Sequence, residues 1–156
     1  MKTLNSASAP GRVAAIDFGT VRIGIAISDA LQSIASPYEN YTRRDDQQDS
    51  RRFKRLVEEE EIVRFVVGLP IHLDGRESPK SVEARKFGAW LESETGVPVV
   101  YHDERFTSVE AEQQMLSVNM TRSKRKQRRD MLAAQLLLTA YLDSDHSSDE
   151  FGAIDE

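Results

Sequence analysis

The stretch Val13 to Asp29, VAAIDFGTVRIGIAISD, constrains the fold more than any other part of the chain. Two apolar runs, Val13 to Ile16 and Ile23 to Ile27, are joined by a short turn that carries one carboxylate, Asp17. Gly19 can take backbone angles closed to other residues, and Gly24 admits a close neighbour, so the pattern predicts a β-hairpin. Asp17 then stands at the end of a buried strand. Burying a carboxylate is costly unless something compensates, and a divalent metal compensates fully. A turn over Gly19 and Thr20, capped by the Asp17 side chain, is the plainer reading of the same residues. On this segment alone both stay open.

At 156 residues the chain has the length of one domain with a proper core, and is too short for two lobes around a cleft. It contains no cysteine, which removes a disulfide framework, a thiolate zinc site and a cysteine nucleophile. Residues 1–11 are polar and read as a flexible extension without the apolar core of a signal peptide, and no run approaches the roughly 20 apolar residues of a membrane span. The expectation is a soluble cytoplasmic protein without a membrane partner. Asp143 to Glu156 carries six acids and no Lys or Arg, and residues 144–156 read as a disordered acidic tail. Without those acids the balance moves from 21 basic against 26 acidic residues to 21 against 20. Within the body, residues 12–143, the cations cluster at Arg122, Lys124, Arg125, Lys126, Arg128 and Arg129. Such a run is either a solvated helix end or a phosphate-binding surface.

Along the chain, Ser33 to Thr42 reads as a third strand, at an edge because of Pro37, completing an antiparallel meander. A helix comes next, beginning in Arg43 to Asp49 and running through Phe53, Leu56 and Val57 to a solvated acidic face at Glu58 to Glu61. Ile62 to Val67 is a buried parallel strand ending in Gly68-Leu69-Pro70, where Gly68 either ends the strand or lets backbone approach a neighbour or ligand. His72 lies in the loop beyond it and can contact phosphate. Ser81 to Thr95 is a second helix stopped by Gly96, with Trp90 read as core. Val97 to Tyr101 is another strand that runs directly into His102-Asp103-Glu104-Arg105, with Thr107 or Ser108 as the cap of the next helix. Asp, Glu and Arg together after a buried strand exceed what a capping turn requires. From Asp130 the spacing of Ala133, Ala134, Leu137, Leu138 and Tyr141 marks one helical face, with Asp130 continuing that stripe at the helix's amino end. There it either faces inward with the core residues or serves the helix as cap and dipole partner.

Asp17, Glu104 and Asp130 thus come from two strand ends and a helix start, and can converge at one edge of a mixed sheet. Carboxylates brought together repel, so the cluster calls for a cation. Oxygen ligands without His or Cys favour Mg²⁺ or Mn²⁺ over zinc. The adjacent basic run makes a polyanion the expected substrate. Two such metals would serve phosphodiester hydrolysis.

Four motifs, IDFGTVRIGIAISD, FVVGLPIHLDG, YHDERFTSVEA and RRDMLAAQLLLTAYL, occur in this order and spacing and together resemble the YqgF (RuvX) family of RNase H-like proteins. The resemblance covers about Arg12 to Asp143. It implies an α/β fold, RNase H-like, with a mixed five-stranded sheet, antiparallel strands one to three, helices on both faces and an acidic metal site. It also implies a nuclease, either one that matures the 5′ end of pre-16S ribosomal RNA, with the ribosomal particle as a partner, or a Holliday junction resolvase acting on branched DNA. Carried over by residue, the catalytic and metal-binding carboxylates are Asp17, Glu104 and Asp130, with Asp103 as a further metal ligand. Arg105 and Thr107 match the same DER motif, and with Arg125, Lys126, Arg128 and Arg129 they form the expected substrate-binding set. Two departures stand out: Ser108 replaces a usual Thr, and KRKQRR before Asp130 lacks the Gly common there.

DFGT followed by Gly24 also resembles the first phosphate loop of the actin, Hsp70 and sugar kinase ATPases, but those clasp a nucleotide between two lobes. The P-loop, dinucleotide glycine, HExxH and GxSxG signatures are all absent. A non-catalytic RNA-binding module is the remaining rival. No base-reading aromatic platform is evident in the sequence. Symmetric cutting of a junction would need a homodimer, and monomer and homodimer both stay open.

Overall fold

The computed structural model describes residues 11–70, 75–104 and 122–155. Five strands, β1 (Arg12–Asp17), β2 (Arg22–Ser28), β3 (Ala35–Thr42), β4 (Ile62–Leu69) and β5 (Val99–Asp103), form one sheet in the order β3-β2-β1-β4-β5. Three helices complete the described residues: α1 (Asp46–Glu60), α2 (Pro79–Thr95) and α3 (Arg122–Asp155). The expected hairpin is present, with Ala14 opposite Ile27 and Asp17 opposite Gly24. β3 adds antiparallel to β2, while β4 and β5 run parallel to β1. Pro37 lies on the edge strand, as expected, and the ladder slips beside it, where Ile25 faces Glu39 but Ala26 faces Pro37. A proline has no N–H for the ladder, so an edge and a bulge suit it.

Alternation along the strands divides the core into two layers. Ala14, Ile16, Ile23, Ile25, Phe65 and Val67 face α1 and α2, packing on Phe53, Leu56, Ala84, Phe87 and Leu91. Val13, Ala15, Ala26 and Val66 face α3, packing on Ala134, Leu137, Leu138 and Tyr141. Because side chains alternate with a period of two, Asp17 continues the Val13 and Ala15 face, toward α3.

Both shorter helices are capped at each end, and the stop expected at Gly96 is present. Asp45 caps α1 by accepting from the Gln48 N–H at 2.8 Å, and Glu61 closes it in the left-handed conformation (φ 55°). Ser78 caps α2 at the Ser81 N–H, and Gly96 ends it at φ 75°.

Two readings need correction. Trp90 is not core: it is only partly buried, at the rim of the layer, stacked on Phe87 with ring centroids 5.5 Å apart. The buried face of α2 is instead Ser81, Ala84, Phe87, Gly88 and Leu91, and Trp90 falls beside that stripe. Next, α3 begins at Arg122, so Asp130 lies eight residues inside the helix and is neither its cap nor in its first turn. The backbone of α3 continues to Asp155. The extension at residues 1–10 and His72 lie outside the described residues.

Candidate active site

The carboxyl ends of β1 and β4, the residue after β5, the first two turns of α2 and Asp130 of α3 surround a cleft of about 390 Å³. Asp17, Glu104 and Asp130 all line it, joined by Arg22, Lys80 and Glu83. The three carboxylates named from the sequence therefore face one space. Asp103 does not line that space. It follows Tyr101 in the alternation of β5, on the side of the sheet that carries α1 and α2, whereas Glu104 follows His102 toward α3.

Two glycines set the geometry. Gly24 faces Asp17 across the hairpin, and the Asp130 carbonyl of α3 occupies the place a Cβ on Gly24 would take. Gly68 on β4 pairs with His102, and a Cβ there would collide with the Glu104 carboxylate. Only a residue without a side chain allows either approach. The alternatives left open for Gly68 thus resolve to a close neighbour, Glu104, with the strand continuing through Gly68 to Leu69.

Asp130 is held in place from the sheet. Its Oδ2 accepts from Arg22 Nε and from Asn40 Nδ2, each at 3.3 Å. Arg22 lies two residues before Gly24 on the same face, and Asn40 pairs with Gly24 across β2 and β3. Sequence reasoning missed both. The alternation in RIG marks Arg22 as facing Asp17's side of the sheet, but Asn40 depends on the bulge beside Pro37, which shifts the register invisibly.

Asp17 is followed by Phe18, which is clamped. The Arg43 guanidinium sits 5.3 Å from the Phe18 ring centre, and the Arg43 N–H donates to the Val21 carbonyl at 2.9 Å. Arg43 Nε in turn donates to Asp49 at 3.3 Å. Asp49 is fully buried and also accepts from Tyr41 Oη at 2.6 Å and the Arg44 N–H at 2.9 Å. Burial and that bond push the Tyr41 hydroxyl up to about 12. On the α3 side, His102 sits edge-on to Tyr141, and burial lowers its pKa, opposed by the Asp103 charge.

The donor set fits a hard divalent cation in kind: Asp17, Glu104 and Asp130, with Glu83 beside them, line one cleft without sulfur or imidazole. Among the described residues no three His, Cys, Asp or Glu side chains are drawn close enough to hold one ion, and Asp130 Oδ2 is turned to Arg22 and Asn40. Of the expected substrate-binding residues, Arg128 and Arg129 are exposed on α3, and Arg125 and Lys126 belong to its first turns. Arg105 and Thr107 lie outside the described residues.

A family model described as RuvX, Holliday junction resolvase, matches residues 11–144. The chain belongs to that family. Curated relatives agree: a protein of Rhodopirellula baltica is 48% identical over 87% of this chain and 79% of its own length, and one of Koribacter versatilis is 43% identical over 85% and 87%. Each is named "Putative pre-16S rRNA nuclease". Among solved structures, Thermus thermophilus RuvC superposes with a TM-score of 0.53 at 14% identity, covering 86% of this chain and 96% of that one. The fowlpox virus Holliday junction resolvase gives 0.50 at 13% identity, covering 85% and 99%. These likenesses establish the fold. The mixed sheet with helices on both faces is therefore the RNase H-like architecture of the resolvases. No helix among the described residues is long and apolar enough to cross a membrane.

Proposed function

We propose that this chain is a metal-dependent endonuclease that hydrolyses phosphodiester bonds during 5′-end processing of pre-16S ribosomal RNA in the cytoplasm. The observation that carries the reading is the convergence of Asp17, Glu104 and Asp130 on one cleft in a chain whose relatives are named as nucleases of that precursor. Asp17, Glu104 and Asp130 would hold Mg²⁺ or Mn²⁺, which supplies an activated water and neutralises charge on the leaving oxygen. Arg22 and Asn40 orient Asp130 from the sheet, and Gly68 leaves Glu104 the room to reach inward. Arg105, Thr107, Arg125, Lys126, Arg128 and Arg129 engage phosphates and set the strand across the cleft. Binding through such a run weakens steeply with salt, and salt-insensitive affinity would remove that part of the proposal.

The second reading, a resolvase of branched DNA working as a homodimer, is favoured by the description of the matching family. One experiment separates them. Labelled pre-16S leader RNA and a four-way DNA junction are each incubated with Mg²⁺, Mn²⁺ or chelator and with wild type or Asp17→Asn. Metal-dependent cutting of the RNA that Asp17→Asn abolishes supports the proposal, and cutting of the junction alone supports the second reading. Binding without cutting, equal in both proteins, leaves a non-catalytic RNA-binding module.

A further inference from the structure

The cleft does not end at the carboxylates. Phe18, Thr20 and Glu83 form its wall on one side and also the wall of a second groove of about 340 Å³, floored by Phe18, Phe87 and Trp90 and flanked by Arg43 and Lys86. Past Trp90 and Asp46 a third groove, of about 620 Å³, continues between α1 and α2 beside Arg51 and Lys54. Trp90 is thus the ridge between two open troughs that lead out of the candidate active site.

The aromatic floor is a stack. Phe18 and Phe87 lie 4.9 Å apart at 33°, and Phe87 and Trp90 lie 5.5 Å apart at 35°, so the three rings step outward with their faces roughly aligned. Arg43 covers the inner two rings, 5.3 Å from Phe18 and 5.6 Å from Phe87. Trp90 ends the series, partly buried. Arg51, Lys54 and Lys86 are exposed on either side of it and take part in none of the ion pairs between described residues. Three carboxylates, Asp46, Glu83 and Glu94, also line these grooves, and Glu94 is engaged by Ser50 Oγ at 2.7 Å. The mixture of charge does not suit a duplex backbone held by cations alone. It suits one strand whose base rests on a ring while its phosphates lie beside a few cations.

We propose that the Phe18, Phe87 and Trp90 groove is a stacking subsite for an unpaired nucleotide of the strand that enters the carboxylate cleft, with the base on Trp90 and flanking phosphates at Lys86, Arg51 and Lys54. The inference rests on the reading of the chain as a nucleic-acid enzyme, and it adds how the strand is selected. An unpaired nucleotide reaches Trp90 and a base-paired one does not, because a paired base has both faces covered. The subsite therefore makes the enzyme prefer a single-stranded flank next to the bond it cuts. Stacking tolerates any base, so the preference is for strandedness and not for sequence.

Trp90 is the only tryptophan of the chain, so tryptophan emission reports this ridge and the two grooves beside it. The full chain in chelator is titrated with an end-labelled twelve-nucleotide oligouridylate, reading Trp emission and the anisotropy of the label together, and with an abasic oligomer of the same length. The expected result is quenching that follows the anisotropy for the oligouridylate, and no quenching with the abasic strand. Trp90→Ala and Lys86→Glu each weaken binding about tenfold, while Trp90→Phe, which keeps a stacking face, retains most of it. Lys86 is exposed, so its variant remains informative if Trp90→Ala does not fold. Binding by anisotropy without any change in Trp emission, or unchanged affinity in Lys86→Glu and Trp90→Ala, overturns the subsite and leaves the nuclease proposal standing. Quenching by a protein that cuts no substrate with any metal upholds the subsite and removes the nuclease.

Discussion

The main-chain carbonyl of Asp130 lies against Gly24, the residue that faces Asp17 across the hairpin. A helix of the third layer thereby touches the sheet through backbone, with no side chain between. One glycine sets how near the carboxylates of β1 and α3 stand. Arg22 and Asn40, on the same face, then fix which way Asp130 points.

Gly24→Ala should damage both fold and site. The obstructing atom is a main-chain oxygen within a helix, which cannot swing aside as a side-chain end can. Helix α3 must move off the sheet as a body, at a cost of about 1–3 kcal/mol. Urea unfolding should show that loss as a lower midpoint with unchanged slope. Metal-dependent cutting should fall further than stability does, because Asp130 moves with its helix. A variant with wild-type midpoint and wild-type cutting would show that the contact is dispensable.

Gly68→Ala separates the two effects. Here the obstructing group is the Glu104 carboxylate, the free end of a side chain, which can rotate away. Stability should change by no more than about 1 kcal/mol, since the strain is offset by a stiffer unfolded chain. Displacing a carboxylate of the site by about an ångström should lower cutting on the order of a hundredfold. Parallel urea titrations and cleavage assays at rising Mn²⁺ check this. Equal losses in fold and activity would place Gly68 in the core and not in the site.

The hairpin, the edge position of Pro37 and the inward face of α3 were legible because each is a local pattern: alternation, a missing N–H, a stripe at helical spacing. That Asp17, Glu104 and Asp130 come together on one cleft was legible because a carboxylate that adjoins an apolar run stands out. Trp90 was misread for the same reason, since one residue beside the buried stripe of α2 looks apolar in sequence yet falls at its rim. Asn40 and Asp49 were not legible. Asn40 reaches Asp130 only through a register shift in an edge strand, and Asp49 reads as one more charge in a polar helix start although it is wholly buried. Its partners, Tyr41, Arg43 and Arg44, are close in sequence, but nothing in their spacing says that they turn inward together.

The turn after β2 should govern the acid limb of stability. Asp29 accepts from the Ser33 N–H at 2.7 Å, the Ser33 hydroxyl at 2.6 Å and the Ile34 N–H at 2.9 Å. The Ser33 hydroxyl bond foremost, then that from Ile34, lowers its pKa from 3.8 to about 2. The ionised form favours the fold, so this contribution is complete above pH 3.8 and is lost as pH falls through 2. Asp29→Ala should therefore melt below wild type at about pH 5, with the gap closing toward about pH 2. A gap that is constant across that range would mean that the carboxylate's charge plays no part.

Asp49 and Tyr41 should govern the alkaline limb and, through Arg43, the site itself. Tyr41 is raised from 10.0 to about 12, first by burial and then by its bond to Asp49. The neutral phenol favours the fold, so its contribution is whole below pH 10 and is lost as pH rises through 12. Wild type should lose stability over that window, and Tyr41→Phe should lose less of it. Asp49→Ala goes further, because it leaves both Tyr41 Oη and Arg43 without a buried acceptor, at a cost of about 3 kcal/mol. Arg43 would also no longer be held over Phe18, the neighbour of Asp17, so residual folded protein should cut more slowly at saturating substrate with little change in KM. Thermal melts at about pH 7 and about pH 11, with kcat and KM measured on the same preparations, distinguish a network that only supports the core from one that also positions Asp17. A loss of stability with unaltered kcat would assign it to the core alone.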